Sequence, residues 1–141
     1  MKRKASAVWQ GDLQGGKGTI SSASGVLADT QYSFKTRFED GKGTNPEELI
    51  AAAHSACYSM ALSHELASAG MTPERVATEA TVTLDAVDGG FAITAIHLEV
   101  DAKVPGASQA DFDKLAEGAK TGCPVSKALS PTITLSARLE S

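Results

Sequence analysis

The chain has 141 residues, 42% of them hydrophobic, which is enough for one core and too little for two independent ones. Its formal net charge of -4 excludes the concentrated Lys and Arg that a nucleic-acid or anionic-membrane surface needs. A single domain over residues 1–141, with small molecules or other proteins as partners, is the expectation.

Met1-Lys2-Arg3-Lys4 has the charge of a signal-peptide start, but Trp9-Gln10-Gly11-Asp12 follows without an apolar stretch, and the longest apolar run is Leu49 to Ala53. The sequence therefore reads as cytoplasmic and free of membrane contact. Strands are expected at Ala5 to Gln10 and Thr19 to Ser22, on either side of the turn Gly15-Gly16-Lys17-Gly18. Between Gln31 and Phe38, Tyr32, Phe34, Thr36 and Phe38 alternate with Gln31, Ser33, Lys35 and Arg37. That period of two predicts a half-buried strand with Arg37 on its polar side.

Asn45-Pro46-Glu47-Glu48 supplies an N-cap, a proline at the first helical position and early acids, so a helix starts here and can run to Ala69, with Gly70 as its stop. Leu49, Ala53, Ala56 and Met60 form one stripe, while Ile50, Cys57, Ala61, Leu62 and Leu66 cover other sides. A helix apolar nearly all round is expected to be buried, and so short a chain has little to surround it with. A homodimer pairing two copies of the helix is the expected solution.

Val76, Thr78, Ala80, Val82 and Leu84 alternate with polar residues up to the turn Asp88-Gly89-Gly90, and Ile96, Leu98, Val100, Ala102 and Val104 mark the return strand. Ser108 to Thr121 reads as a helix with Ala110, Leu115 and Ala119 inward, and Gly122-Cys123-Pro124 interrupts it. Val125 to Leu129 follows as a short helix and Thr132 to Glu140 as a closing strand. The fold class expected is α+β, with antiparallel sheets packed around a long central buried helix.

The two cysteines are too few for a disulfide scaffold, and no zinc-type spacing joins them to the histidines, so no metal or cofactor is expected. Burial alone would raise the pKa of a mid-helix Cys57 and make it an inert core residue; reactivity there requires a nearby cation. Cys123, between Gly122 and Pro124, stands at a helix start, where amide dipoles favour a thiolate. On spacing alone, Arg37 reads as a solvent-facing residue, and Glu47 and Glu48 read as helix-start acids. His54 lies one turn before Cys57 and has the spacing of a general base, though no acid is placed to orient it.

Taken together, Arg37-Phe38-Glu39, Gly43-Thr44-Asn45-Pro46-Glu47-Glu48-Leu49-Ile50, Ala52-Ala53-His54-Ser55-Ala56-Cys57 and Gly122-Cys123-Pro124-Val125-Ser126 resemble the osmotically inducible protein C (OsmC) and organic hydroperoxide resistance (Ohr) family. Gly89-Gly90-Phe91-Ala92-Ile93-Thr94 and His54 fit its OsmC branch. The resemblance covers the chain in order. It implies an intertwined homodimer with the active site at the subunit interface and a thiol peroxidase that reduces organic hydroperoxides. It also implies a peroxide-attacking role for Cys57, a resolving role for Cys123, and Arg37 and Glu47 completing the site. The reductant it implies is an external dithiol of the lipoyl type. Two other classes stay open on the residues alone: a Cys57/His54 hydrolase or acyl transferase, and a non-enzymatic protein holding an apolar ligand. Ten residues of helix between Glu47 and Cys57 rise roughly 15 Å. Either the helix breaks between them, or Glu47 reaches the other subunit's cysteine.

Overall fold

The computed structural model describes residues 1–140. The elements run β1 (Ala5–Gln10), β2 (Lys17–Ser22), β3 (Thr30–Tyr32), α1 (Phe34–Phe38), α2 (Pro46–Ser68), β4 (Arg75–Val87), β5 (Gly90–Lys103), α3 (Gln109–Gly122), α4 (Pro124–Ala128) and β6 (Thr132–Glu140). They group into two compact units, one ending at Leu49 and the other starting at Ile50. No helix among the described residues is long and apolar enough to cross a membrane.

In the first unit, β1, β2 and β3 form an antiparallel sheet in chain order. Trp9 and Tyr32, with ring centroids 5.4 Å apart, close over Gly18 from the neighbouring strands. A side chain at residue 18 would run into both rings, so this position needs glycine for space. The strand expected over residues 31–38 stops at Tyr32, and α1 replaces its second half. The Ser33 side chain accepts from the Thr36 amide while the Ser33 amide donates to the Thr36 hydroxyl, a capping box that starts a helix. Arg37 therefore stands on a helix, not on the polar side of a strand. Asn45 then caps α2, accepting from the Glu48 amide at 2.8 Å and donating to the Thr36 carbonyl at 2.9 Å.

In the second unit, β4 and β5 form the expected hairpin, with Val87 paired to Gly90 and a register shift at Thr83/Leu84. The closing strand β6 lies parallel to β5, which corrects the expectation of purely antiparallel sheets. A parallel neighbour requires a crossover, and α3 with α4 supplies it between the two strands. The core gathers Tyr58, Leu62 and Leu66 from α2, Ile96, Leu98, Val100 and Ala102 from β5, and Phe112, Ala116 and Ala119 from α3. Ala110, expected inward, is exposed.

Helix α2 also departs from expectation. Within the chain it buries one face, carrying His54, Tyr58, Leu62 and Leu66 at four-residue steps, and leaves Ala52, Ala53, Ala56 and Met60 exposed. The helix is therefore not buried all round by its own chain. Its end is a Schellman motif: the Met71 amide donates to the Leu66 carbonyl at 2.9 Å and the Gly70 amide to the Ala67 carbonyl at 3.0 Å, with Gly70 at φ +84°. Phe112 is fully buried at the centre of this core. Phe112→Ala should lower the unfolding free energy by about 3–5 kcal/mol in urea titrations. A loss under about 1 kcal/mol would mean that the α3 contact with the sheet contributes little.

Candidate functional site

Two side-chain pairs stand out, one in each unit. In the first, the Arg37 guanidinium forks onto the Glu47 carboxylate, with Nε 3.1 and 3.3 Å from the two oxygens and Nη2 2.8 Å from Oε1. Glu47 is buried, while the Arg37 side chain keeps 38% of its exposure. The Phe38 ring lies 5.4 Å from the Arg37 guanidinium carbon, so the cation also rests on an aromatic face. Arg37 is thus held flat from two sides, unlike a free solvent-facing arginine.

In the second unit, Cys57 on α2 meets Cys123, which ends α3 and caps α4. Their sulfurs are 2.9 Å apart and both thiols are free. That distance exceeds the ~2.05 Å of a disulfide bond. The Tyr58 hydroxyl donates to the Ala116 carbonyl at 2.9 Å, tying α3 to α2 next to the cysteine pair. Cys123 is fully buried and Cys57 half-buried. Cys57 lines an apolar cleft of about 370 Å³ with Met60, Ala61, Ala119, Gly122 and Pro124, and with His64 and Glu65 as its polar members.

The pair shares its protons unequally. Burial pushes the Cys57 thiol up, the hydrogen bond with Cys123 adds to that, and the Val125 amide only partly opposes it. Burial also pushes Cys123 up. There, however, the hydrogen bond with Cys57, the amides of Ser126 and Val125 and the Ser126 hydroxyl together draw it below its usual value. With both thiols protonated, the Cys123 S–H donates to Cys57. After the first proton leaves, the direction reverses and Cys57 donates to a Cys123 thiolate. Burial and the hydrogen bond with Cys123 therefore both oppose a thiolate on Cys57.

His54, expected as a possible base for Cys57, points elsewhere. It is fully buried, its Nε2 lies 2.7 Å from Ser126 Oγ, and its Nδ1 has no hydrogen-bond partner. Burial lowers its pKa, so the ring is neutral near pH 7. Ser126, whose hydroxyl lies 2.7 Å from His54, carried no expectation from the sequence. Its position three residues after a cysteine at a helix start was the available signal. His97, on the other strand face, bonds Thr134 at 2.6 Å and lies outside this cluster.

The family model described as "OsmC-like protein" matches residues 39–138. Peroxiredoxin OsmC of Escherichia coli (strain K12) is 55% identical over 139 residues, covering 99% of this chain and 97% of that protein. The crystal structure of the organic hydroperoxide resistance protein OhrB of Bacillus subtilis superposes with a TM-score of 0.68 at 26% identity, covering 97% of this chain and 98% of that one. An OsmC-like protein from Mycoplasma pneumoniae shares the fold with a TM-score of 0.76 at 17% identity, over 100% of this chain and 99% of that one.

Proposed function

Because the chain belongs to the OsmC-like protein family, we propose that it is a peroxiredoxin-type enzyme that reduces organic hydroperoxides to alcohols with Cys57 and Cys123. The observation that carries this reading is the 2.9 Å approach of two free thiols beside an apolar cleft. A thiolate on Cys57 attacks the distal peroxide oxygen and the O–O bond breaks. The departing alkoxide takes up a proton from solvent and leaves as the alcohol, and Cys57 becomes a sulfenic acid. The Cys123 thiolate then attacks the Cys57 sulfur, the S–O bond breaks, and the departing hydroxide takes up a proton from solvent and leaves as water as the disulfide forms. An external dithiol of the lipoyl type returns both thiols by exchange and is itself oxidised to a disulfide. The cleft suits the alkyl part of the substrate, because its lining offers mostly apolar atoms.

The positive charge Cys57 requires is assigned to Arg37, oriented by Glu47. Helix α2 runs from Pro46 to Ser68, which supports the alternative in which Glu47 reaches the cysteine of the other subunit. The proposal is therefore a homodimer in which the Arg37–Glu47 pair of one copy serves the thiols of the other. The exposed face of α2, including Met60 at 76% exposure, is the surface offered to the partner. Location in the cytoplasm belongs to the same reading, since the reducing compartment keeps both thiols available.

The Cys57/His54 hydrolase is disfavoured, because His54 Nε2 is engaged by Ser126. The deciding experiment is an assay with an alkyl hydroperoxide and a lipoyl-type dithiol. The expected result is consumption of one dithiol per hydroperoxide, with catalytic turnover. Hydrolysis of thioesters or esters without dithiol consumption would support the hydrolase instead. Saturable uptake of an apolar ligand without turnover of either kind would support the binding protein.

A further inference from the structure

We propose that Gly122 is a specificity-determining residue: its missing side chain keeps the thiol end of the cleft open for hydroperoxides that are branched or aryl-substituted at the carbon bearing the peroxide. The inference deepens the peroxidase reading of the cysteine pair and rests on it.

Neither ordinary reason for a glycine applies at this position. Gly122 is the last residue of α3, and in a helix glycine loses more backbone freedom on folding than any other residue. Gly70, which stops α2, has the positive φ that glycine adopts readily; the φ of Gly122 lies outside that left-handed region. Cys123, not Gly122, caps α3, donating its amide to the Ala119 carbonyl at 2.9 Å. Gly18 is required because two rings close over it, whereas a Cβ at residue 122 meets no atom of its own chain within 4 Å. Conformation and close packing both leave the choice of glycine unexplained.

The cleft supplies the reason. Gly122 and Pro124, the two neighbours of Cys123, both line it together with Cys57, whose sulfur is 2.9 Å from that of Cys123. Residue 122 therefore stands at the thiol end, where the carbon bearing the peroxide arrives when the distal oxygen meets Cys57. The polar members, His64 and Glu65, are seven and eight residues beyond Cys57 on α2, roughly 10–12 Å along the helix axis, and do not crowd that carbon. Ala61 and Ala119, two further lining residues, have small side chains. Substituents on the peroxide carbon bury apolar surface against Ala61, Ala119 and Pro124, in space that a side chain at residue 122 would occupy. Gly118, one turn earlier on α3, also meets nothing within 4 Å but lies outside the cleft, which makes it a control.

The test compares kcat/KM for cumene hydroperoxide, a tertiary aryl hydroperoxide, with kcat/KM for ethyl hydroperoxide, on the full-length protein with excess lipoyl-type dithiol. Gly122→Ala adds one methyl group and should lower the cumene-to-ethyl ratio about tenfold; Gly122→Leu should lower it at least about a hundredfold. Both variants should unfold at the wild-type temperature or above it, since alanine and leucine favour a helix. Gly118→Ala should leave the ratio unchanged. A ratio unmoved by the substitutions at residue 122 would overturn the proposal. So would a Gly122→Ala protein that loses both activities together; with a changed oligomeric state by light scattering, that result would give the space to a partner chain. A second readout needs no peroxide. In a Cys123→Ser background, Gly122→Leu should slow alkylation of Cys57 by N-benzylmaleimide at least about tenfold more than alkylation by iodoacetamide. If the wild type consumes neither hydroperoxide, the peroxidase reading fails, and the alkylation still decides whether residue 122 admits bulk beside the thiol. If Gly122→Leu fails to fold, the substrate ratio of Gly122→Ala decides alone.

Discussion

Cys57→Ser should abolish hydroperoxide consumption, with a loss of at least about a thousandfold, because a serine hydroxyl at neutral pH is neither ionised nor soft enough to attack the O–O bond. Cys123→Ser should behave differently. Without a resolving thiol, the protein should consume one equivalent of hydroperoxide and then stall, with the Cys57 sulfenic acid accumulating until an external thiol intercepts it. The asymmetry follows from placement: Cys57 opens on the 370 Å³ cleft, whereas Cys123 is fully buried behind it. Stopped-flow consumption of an alkyl hydroperoxide, followed by trapping with a sulfenic-acid reagent, reads both outcomes. A Cys57→Ser protein that still turns over would move the attacking role to another group.

Arg37→Ala should slow hydroperoxide reduction at neutral pH by at least about tenfold while leaving the protein folded, each pKa unit of lost thiolate stabilisation being about 1.4 kcal/mol. The influences within the second unit leave the proton on Cys57, since burial and the hydrogen bond with Cys123 both act against its ionisation. An added guanidinium reverses that preference. Arg37→Lys should rescue only in part, because an ammonium cannot reproduce the fork of Nε and Nη2 onto Glu47. The proposed dimer adds a sharper outcome. Mixing Arg37→Ala with Cys57→Ser and allowing subunits to exchange should restore about a quarter of the wild-type activity, since each heterodimer then contains one intact site. No recovery after exchange would show that Arg37 serves the cysteine of its own chain.

The sequence disclosed regular elements wherever a single period dominated. The β4–β5 hairpin and the closing strand Thr132–Glu140 carry a clean period of two, and Asn45-Pro46 marks the start of α2. It was ambiguous where two periods coincide. Phe34 and Phe38 sit on one face of either a strand or a helix. The Ser33–Thr36 capping box decided for the helix, and the two rings pack 4.8 Å apart. On α2 several stripes are apolar, so pattern could not pick the inner one. Volume did: Tyr58, Leu62 and Leu66 fill the core and the alanines are left outside. The parallel pairing of β6 was hidden because strand direction depends on the α3–α4 crossover, not on the strand's own residues.

The cysteines, Arg37 and Glu47 were picked out through resemblance more than through spacing, since each alone has an ordinary explanation. Neither the 2.9 Å approach of two sulfurs separated by 66 positions nor the Arg37–Glu47 fork has a local signature. Such contacts are set by tertiary packing, here by the Tyr58 hydrogen bond to α3 and by α1 folding back on the start of α2. Ser126 was overlooked because its partner His54 lies 72 positions away.

The measurement that tests the central claim most directly is the intact mass and free-thiol count of the reduced protein after one equivalent of an alkyl hydroperoxide. The expected result is loss of both thiols with a mass lower by two hydrogens, and peptide mapping that joins Cys57 to Cys123 within one chain. Retention of both thiols with the hydroperoxide unconsumed, or a disulfide linking two chains through Cys57 alone, would contradict it.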